Sequence, residues 1–276
     1  MIEARHRQRD VAGRFRLWLL SAFRKLDEME RCARLRAALR AYKTSGAEHL
    51  VITGDLTEDG TQAQFELLAE LLLDSGIDPA EITLTAGNHD AYTRPDAFER
   101  AIAGPLRAFA RTSKPGCMTV LDEVTIVPVS TVIRQSISRS AGAIPRAHLE
   151  WVDRVARMFK GSGRAIAVAQ HHQPFGHRLR PVNWIDGLQN HTSALSLLRR
   201  HGELHVLHGH RHQSSDRPVG MDEPPRVFGT SACVSHPTPL RLYEACDGQL
   251  RPAQIAGEAP KVTSWFGLTT ETGGAA

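Results

Sequence analysis

The stretch HLVITGDLTEDGTQAQFELLAELLLDSGIDPAEITLTAGNHD, residues 49–90, decides the fold. It opens as a short apolar run with β-branched residues that stops at Gly54-Asp55, the pattern of a buried strand feeding a loop. Residues 61–76 read as a helix, with a threonine cap before it and Gly76 behind. Residues 81–90, EITLTAGNHD, form a second buried strand that again ends in a loop. Strand, loop, helix and strand in this order predict a βαβ unit of a parallel sheet.

Working outward, residues 11–44 predict a helix. Phe15, Trp18, Ala22, Leu26, Met29, Ala33, Ala37 and Ala41 recur at three- and four-residue steps, and Gly46 follows. Residues 118–131 read as a hairpin turning near Asp122-Glu123, residues 145–160 as a helix, and AIAVAQHH (165–172) as another buried strand. A helix from 191 and the strand ELHVLHGH (203–210) come next, and the last third reads as meandering strands. No internal repeat or long linker divides the chain. We expect one α/β domain over residues 1–265, with 266–276 a disordered tail. The layers predicted are a four-layer αββα sandwich of two packed mixed β-sheets flanked by helices.

Hydrophobic residues make up 41% of the 276 and charged residues 23%, a balance that suits a packed core rather than disorder. The net charge is +4, and most of the excess lies in residues 1–40. A basic arm of this kind can meet nucleic acid or anionic lipid. A solvated helix face is the reading favoured here, with peripheral membrane contact by this helix, through Trp18 and Phe23, as the competing one. Aromatics are 6% and do not interleave with the basic residues, so no nucleic-acid partner is expected. Cys32, Cys117, Cys233 and Cys246 form no CxxC pair, which fits a reducing, cytoplasmic setting. The apolar run FRLWLLSAF is too short to span a bilayer and has no cleavage site behind it.

Four apolar strands share one habit: VITGD, TLTAGNHD, AVAQHH and HVLHGHRH each run into a polar cluster. In open α/β sheets ligands bind at the carboxyl ends of the strands. Those ends bring Asp55, Asn88, His89, Asp90, His171, His172, His210 and His212 to one rim. Carboxylate, amide and imidazole donors together suit Mn, Fe or Zn rather than Ca or Mg. The absence of thiolate favours an open hydrolytic centre over a closed structural one.

GDLTEDG, GNHD, a strand-borne histidine and GHRH in this order resemble the calcineurin-like metallophosphoesterase superfamily, from about residue 48 to 235. Within it, the chain is similar to bacterial phosphodiesterases acting on cyclic nucleotides and related diesters. The resemblance implies a dinuclear metal centre. Asp55 matches the bridging carboxylate; Asn88, His171 and His210 match ligands of the second metal; His212 matches a ligand of the first. His89 matches the histidine that faces the leaving group without binding metal, the catalytic role. His172 is the rival of His171 if the strand register differs by one. Gly209 is expected to let the backbone bend close to the ions, His208 to support the ligands, and His205 to pack. Asp90 either orients the His89 ring or caps a helix over 92–100. In NWIDGLQNH (183–191), Trp184, Asn190 or His191 could touch the leaving group; a plain loop with a helix cap at Thr192 is the competing reading.

The family's Asp-x-His at the end of the first strand has no counterpart before GDLTEDG, where only Asp10 and Asp27 occur. The first metal then keeps Asp55 and His212 alone, and the expectation is that Met1 is not the natural start or that the chain descends from one longer at this end. The implied chemistry is in-line attack on phosphorus by hydroxide formed from metal-bound water, whose pKa falls to about 7. The implied substrate is a small phosphoester, a cyclic nucleotide among the candidates. The alternative is a catalytically impaired relative that binds one metal, or a nucleotide, as a binding module.

Overall fold

The computed structural model describes residues 27–136, 138–221, 223–233 and 240–253. In chain order the elements are α1 (Glu28–Ser45), β1 (Leu50–Ile52), α2 (Gln62–Asp74), β2 (Ile82–Leu84), α3 (Ala97–Ala103), α4 (Ala110–Ser113), β3 (Thr119–Val120) and β4 (Val124–Pro128). They continue with α5 (Arg146–Met158), β5 (Ala165–Ala169), α6 (Arg180–Asp186), α7 (His191–Arg200), β6 (Leu204–His208), β7 (Ser215–Arg217), β8 (Val227–Gly229), β9 (Leu242–Cys246) and β10 (Gln249–Ala253).

AIAVA in β5 shows how the layers are set. Side chains alternate across a strand. Ile166 and Val168 face one way, into a core with Val152 and Val155 of α5 and Leu197 and Leu198 of α7. Ala165, Ala167 and Ala169 face the other way, towards Leu250 of β10, with Val51 of β1 and Tyr243 of β9 packed alongside. Bulky side chains meet helices, and small ones let a second β layer approach. The six-stranded sheet has the order β3-β4-β5-β6-β8-β7, parallel from β4 through β8 with antiparallel β3 and β7 at its edges. The facing layer comprises the parallel pair β1–β2 and the antiparallel hairpin β9–β10. That hairpin closes at Asp247-Gly248, both with positive φ (49° and 74°), as tight two-residue turns require. Beyond β1–β2, helices α1 to α3 close a core built on Phe65, Leu72, Ile82, Leu84 and Phe98. The α/β sandwich read from the sequence is therefore the fold.

Several local expectations are corrected. Helix α1 does not bury the Met29-Ala33-Ala37-Ala41 stripe: Met29 is 78% exposed, while Cys32, Ala38, Leu39 and Tyr42 are buried. With partly buried Leu35, the face that wins runs Cys32-Leu35-Leu39-Tyr42. Its side chains remove more apolar area from water than alanines do. Asp27 caps α1, accepting the Glu30 N–H at 3.0 Å. Arg31 then reaches the fully buried Glu58 at 2.5 Å and pins the first turn of α1 to the loop after β1. Thr61 occupies the cap position of α2 without a capping bond. Residues 180–186 form helix α6 where a loop was expected, and Asn190, not Thr192, stands before α7. The helical reading of residues 11–26, with Trp18 and Phe23, and the tail at 266–276 lie outside the described residues. Among the described residues no helix is long and apolar enough to cross a membrane.

Candidate metal centre

The loops after β1 and β2 are bound to each other through a buried carboxylate. Asp90 accepts hydrogen bonds from the backbone N–H groups of Leu56 (3.1 Å), Thr57 (2.8 Å) and Gly87 (2.8 Å), and from the Thr57 hydroxyl at 2.7 Å. Burial, and then the nearby Asp55 charge, push its carboxyl up from the usual carboxylate range. Asp90 thus neither orients the His89 ring nor caps a helix over 92–100; it holds GDLT against GNHD. The approach is close enough to need glycines. A Cβ on Gly87 would stand 2.2 Å from Asp55, and one on Gly54, whose φ is +92°, would stand 2.6 Å from His171 Nδ1.

Asn88 donates through Nδ2 to the Tyr92 hydroxyl at 2.8 Å, which turns Oδ1 towards His171. His89 donates its backbone N–H to Asp55 Oδ1 at 3.1 Å, and its ring Nδ1–H to the Glu58 carbonyl at 2.8 Å. That bond fixes the tautomer and leaves Nε2 as the nitrogen with a lone pair.

The end of β5 separates two neighbouring rings. His171 Nδ1 bonds the Thr53 carbonyl at 2.7 Å. His172 turns away, Nδ1 on the Thr131 hydroxyl and Nε2 on the Ser140 carbonyl, both at 2.7 Å. With both nitrogens engaged, His172 ties three segments together, and the register places His171 at the rim. At the end of β6, His210 Nε2 bonds Asp186 Oδ1 at 2.8 Å while Nδ1 faces His171 Nε2 at 3.3 Å. His205 packs on Phe228 and bonds the Gly248 carbonyl, as expected of a core residue. His208 is buried with Nδ1 on the Gly209 carbonyl, and no bond from it to the candidate ligands is seen. Gly209 does not supply the bend: His210 and His212 do, with φ of +60° and +52°. A Cβ on Gly209 would instead crowd Thr53 at about 3.0 Å.

Three contacts define the centre. His171 Nε2 lies 3.1 Å from Asn88 Oδ1, 3.3 Å from Asp55 Oδ1 and 3.3 Å from His210 Nδ1. On both histidines the opposite nitrogen donates to an acceptor, so lone pairs meet carboxylate and amide oxygens at one point. Such a set repels itself unless a proton or a metal ion sits among it. The spacing suits a metal ion, because ligands about 2.1 Å from an ion lie roughly 3.0–3.4 Å from each other. Asp55 and His171 pair directly with each other. Burial alone would raise Asp55, but His171, His89 and His210 hold it well below the usual carboxylate range. Burial would lower His171, yet Asp55 raises it. His212 is exposed and lines the same cavity, about 160 Å³, with Asp55, His171 and His210. Among the described residues, no three His, Cys, Asp or Glu side chains alone form an ion-ready cluster; the convergence includes the Asn88 amide. A larger cavity, about 470 Å³, opens between β1, β4 and the β9–β10 hairpin and contains no candidate ligand.

Sequence reasoning did not single out Asp186. Its carboxylate also takes the Ser140 hydroxyl at 2.6 Å and Arg211 at 3.1 Å. One signal was available: between His172 and Gly209 the chain has only two carboxylates, Asp186 and Glu203. Of the other residues in that segment, Asn190 holds the Ile144 backbone through both side-chain atoms, and His191 bonds the Leu188 carbonyl. Trp184 is 55% exposed beneath the Arg139 guanidinium.

A family model described as Calcineurin-like phosphoesterase matches residues 27–214. Among solved structures, the chain is similar to a dimetal phosphatase from Danio rerio, with a TM-score of 0.58 and 14% identity over 75% of this chain and 79% of that one. It is also similar to a "Putative 5'-Nucleotidase from Staphylococcus aureus", with a TM-score of 0.45 and 13% identity over 74% of this chain and 43% of that one. The first likeness speaks for the fold alone, and the second carries no argument. No curated protein matches the chain.

Proposed function

The chain belongs to the calcineurin-like phosphoesterase family, whose members are metal-dependent phosphoester hydrolases, and from that premise we propose that this member cleaves phosphodiesters of small molecules, a cyclic nucleotide among them. The observation that carries the proposal is the meeting of Asp55, Asn88, His171 and His210 donor atoms at 3.1–3.3 Å. The diester preference rests on the likeness of GDLTEDG, GNHD and GHRH to bacterial phosphodiesterases.

In this reading those four residues would hold one divalent ion, and Asp55 and His212 would contribute to a second. Their oxygen and imidazole donors suit Mn, Fe or Zn. Bound ions acidify water and neutralise phosphoryl charge. The remaining work falls to the chain. His89 keeps Nδ1–H on the Glu58 carbonyl, so Nε2 is the nitrogen left to exchange a proton with the leaving oxygen, taking one up before it can give it. The His89 backbone N–H on Asp55 keeps that ring in register with the ion site. Four cysteines without disulfides support a cytoplasmic setting.

A second reading, a one-ion binding module with impaired turnover, draws on one observation: among the described residues donor atoms converge at a single position. The test is metal analysis of protein purified with Mn²⁺, followed by turnover of bis(p-nitrophenyl) phosphate and p-nitrophenyl phosphate. Two ions per chain with faster diester cleavage supports the first reading. One ion without turnover supports the second, and no bound ion overturns both.

A further inference from the structure

Asp186 lies outside the convergent donor set yet touches it. Its Oδ1 receives His210 Nε2–H at 2.8 Å, with the Asp186 carbonyl a longer second acceptor at 3.2 Å, and the residue is itself held on several sides. Ser140 donates to the same oxygen at 2.6 Å, Arg211 Nη1 lies 3.1 Å from Oδ2, and His177 Nε2 stands 3.7 Å from Oδ2. Helix α6, which ends at Asp186, is tied to the Ser140 side as well: Arg139 donates to the Trp184 carbonyl at 2.9 Å. A carboxylate gripped this way is a fixed acceptor rather than a wandering surface charge. His210 needs one. It sits at φ +60°, off the backbone conformations most side chains prefer, and nothing in β6 itself dictates its ring orientation.

We propose that Asp186 is the positioning residue of the metal centre: it selects the His210 tautomer protonated on Nε2 and aims the Nδ1 lone pair at the point where Asp55, Asn88 and His171 meet. This rests on the metal-binding reading above. An imidazole whose far nitrogen donates to a carboxylate is oriented and made a better donor at its near nitrogen, and loss of such a partner costs about 10–100-fold in metal affinity or activity. His171 receives the equivalent service from a neutral backbone carbonyl, that of Thr53. Of the two histidine ligands, His210 is therefore the one whose donor strength a side-chain change can tune without touching the ligand.

The test uses the full chain labelled with ¹⁵N-histidine, first without metal. In the parent, the His210 ring, assigned by its loss in His210→Ala, should show the Nε2–H form. Asp186→Ala leaves only the longer bond to the residue 186 carbonyl; it should shift protonation towards Nδ1 and weaken Mn²⁺ binding, titrated calorimetrically, by about 10–100-fold. Asp186→Glu should recover part of that loss. Ser140→Ala, which removes one of the bonds holding Asp186, should move both readouts less and in the same direction; it decides the matter if Asp186→Ala does not fold. An unchanged His210 tautomer with Mn²⁺ affinity within twofold of the parent overturns the proposal. If the parent binds no Mn²⁺, the hydrolase reading falls, and the tautomer measurement still decides the role of Asp186.

Discussion

The ends of β5 and β6 are neighbours in one sheet, each carries a pair of histidines, and they solve the same problem differently. At β5 the two rings are adjacent in sequence and part company. His171 joins the convergent donors, and His172 spends both nitrogens on Thr131 and Ser140. At β6 the two rings straddle Arg211, and the backbone passes through the left-handed region at both. A strand-like pair sends one ring to the candidate centre and one into the surrounding structure, because successive side chains point oppositely. A pair separated by one residue keeps both rings on the same rim, at the expense of a strained turn.

The widest break of that comparison is the β5 pair itself. His171→Ala should abolish stoichiometric Mn²⁺ binding, and turnover with it, while leaving the fold in place. His172→Ala should do the reverse, keeping Mn²⁺ but lowering unfolding free energy by about 3 kcal/mol, since it empties a buried ring site and orphans two partners. Metal analysis and urea titration on both variants check this, and matching losses would dissolve the distinction. Next, His89→Ala should keep the ion and lose about 10²–10⁴ in kcat, read from diester turnover at saturating Mn²⁺. Loss of metal together with rate would contradict a role confined to the leaving group.

His205, a purely structural histidine of β6, sharpens the contrast through pH. Burial lowers its pKa to about 4. The unfolded chain binds that proton near pH 6.5, the folded chain only near 4, so stability is complete above 6.5 and drains away between 6.5 and 4. The loss amounts to about 3 kcal/mol at roughly 1.4 kcal/mol per pH step. His205→Gln should flatten that slope in urea melts of the metal-free protein at pH 7, 5.5 and 4. An unchanged slope would mean that the ring is not held neutral. The smallest expected effect is at α1: Met29→Ala should change stability by less than about 0.5 kcal/mol, because Met29 faces water. A loss above about 2 kcal/mol would restore the alanine-stripe face.

Much of this was legible in the residues, and the reasons differ by feature. That Asp55, Asn88, His171 and His210 meet could be read because each follows a short apolar strand, and parallel strands deliver their ends to one side. The strands themselves announced their layers, as AIAVA does. Asp186 was not legible. It belongs to a seven-residue helix, too short for periodicity to speak, and its partner His210 lies 24 positions away. The buried face of α1 was misread because helical spacing allows two stripes, and side-chain volume decided between them. The part assigned to Asp90 failed for a related reason: a carboxylate next to His89 in sequence points instead into a nest of backbone donors that only the folded loops assemble.

The positive φ angles of Asp55, His210 and His212 constrain which side chains these positions accept. Outside glycine, that backbone conformation is tolerated best by aspartate, asparagine and histidine. The turn therefore limits the alphabet of candidate ligands at these positions by backbone geometry alone. Redesign towards a thiophilic metal should begin at His171, whose backbone has no such positive angle. His171→Cys should melt close to the parent and bind Zn²⁺ in preference to Mn²⁺, whereas His210→Cys should melt lower by a strain of about 1–3 kcal/mol. Equal melting of the two variants would show that the turn relaxes freely, and the ligand alphabet would then be set by chemistry alone.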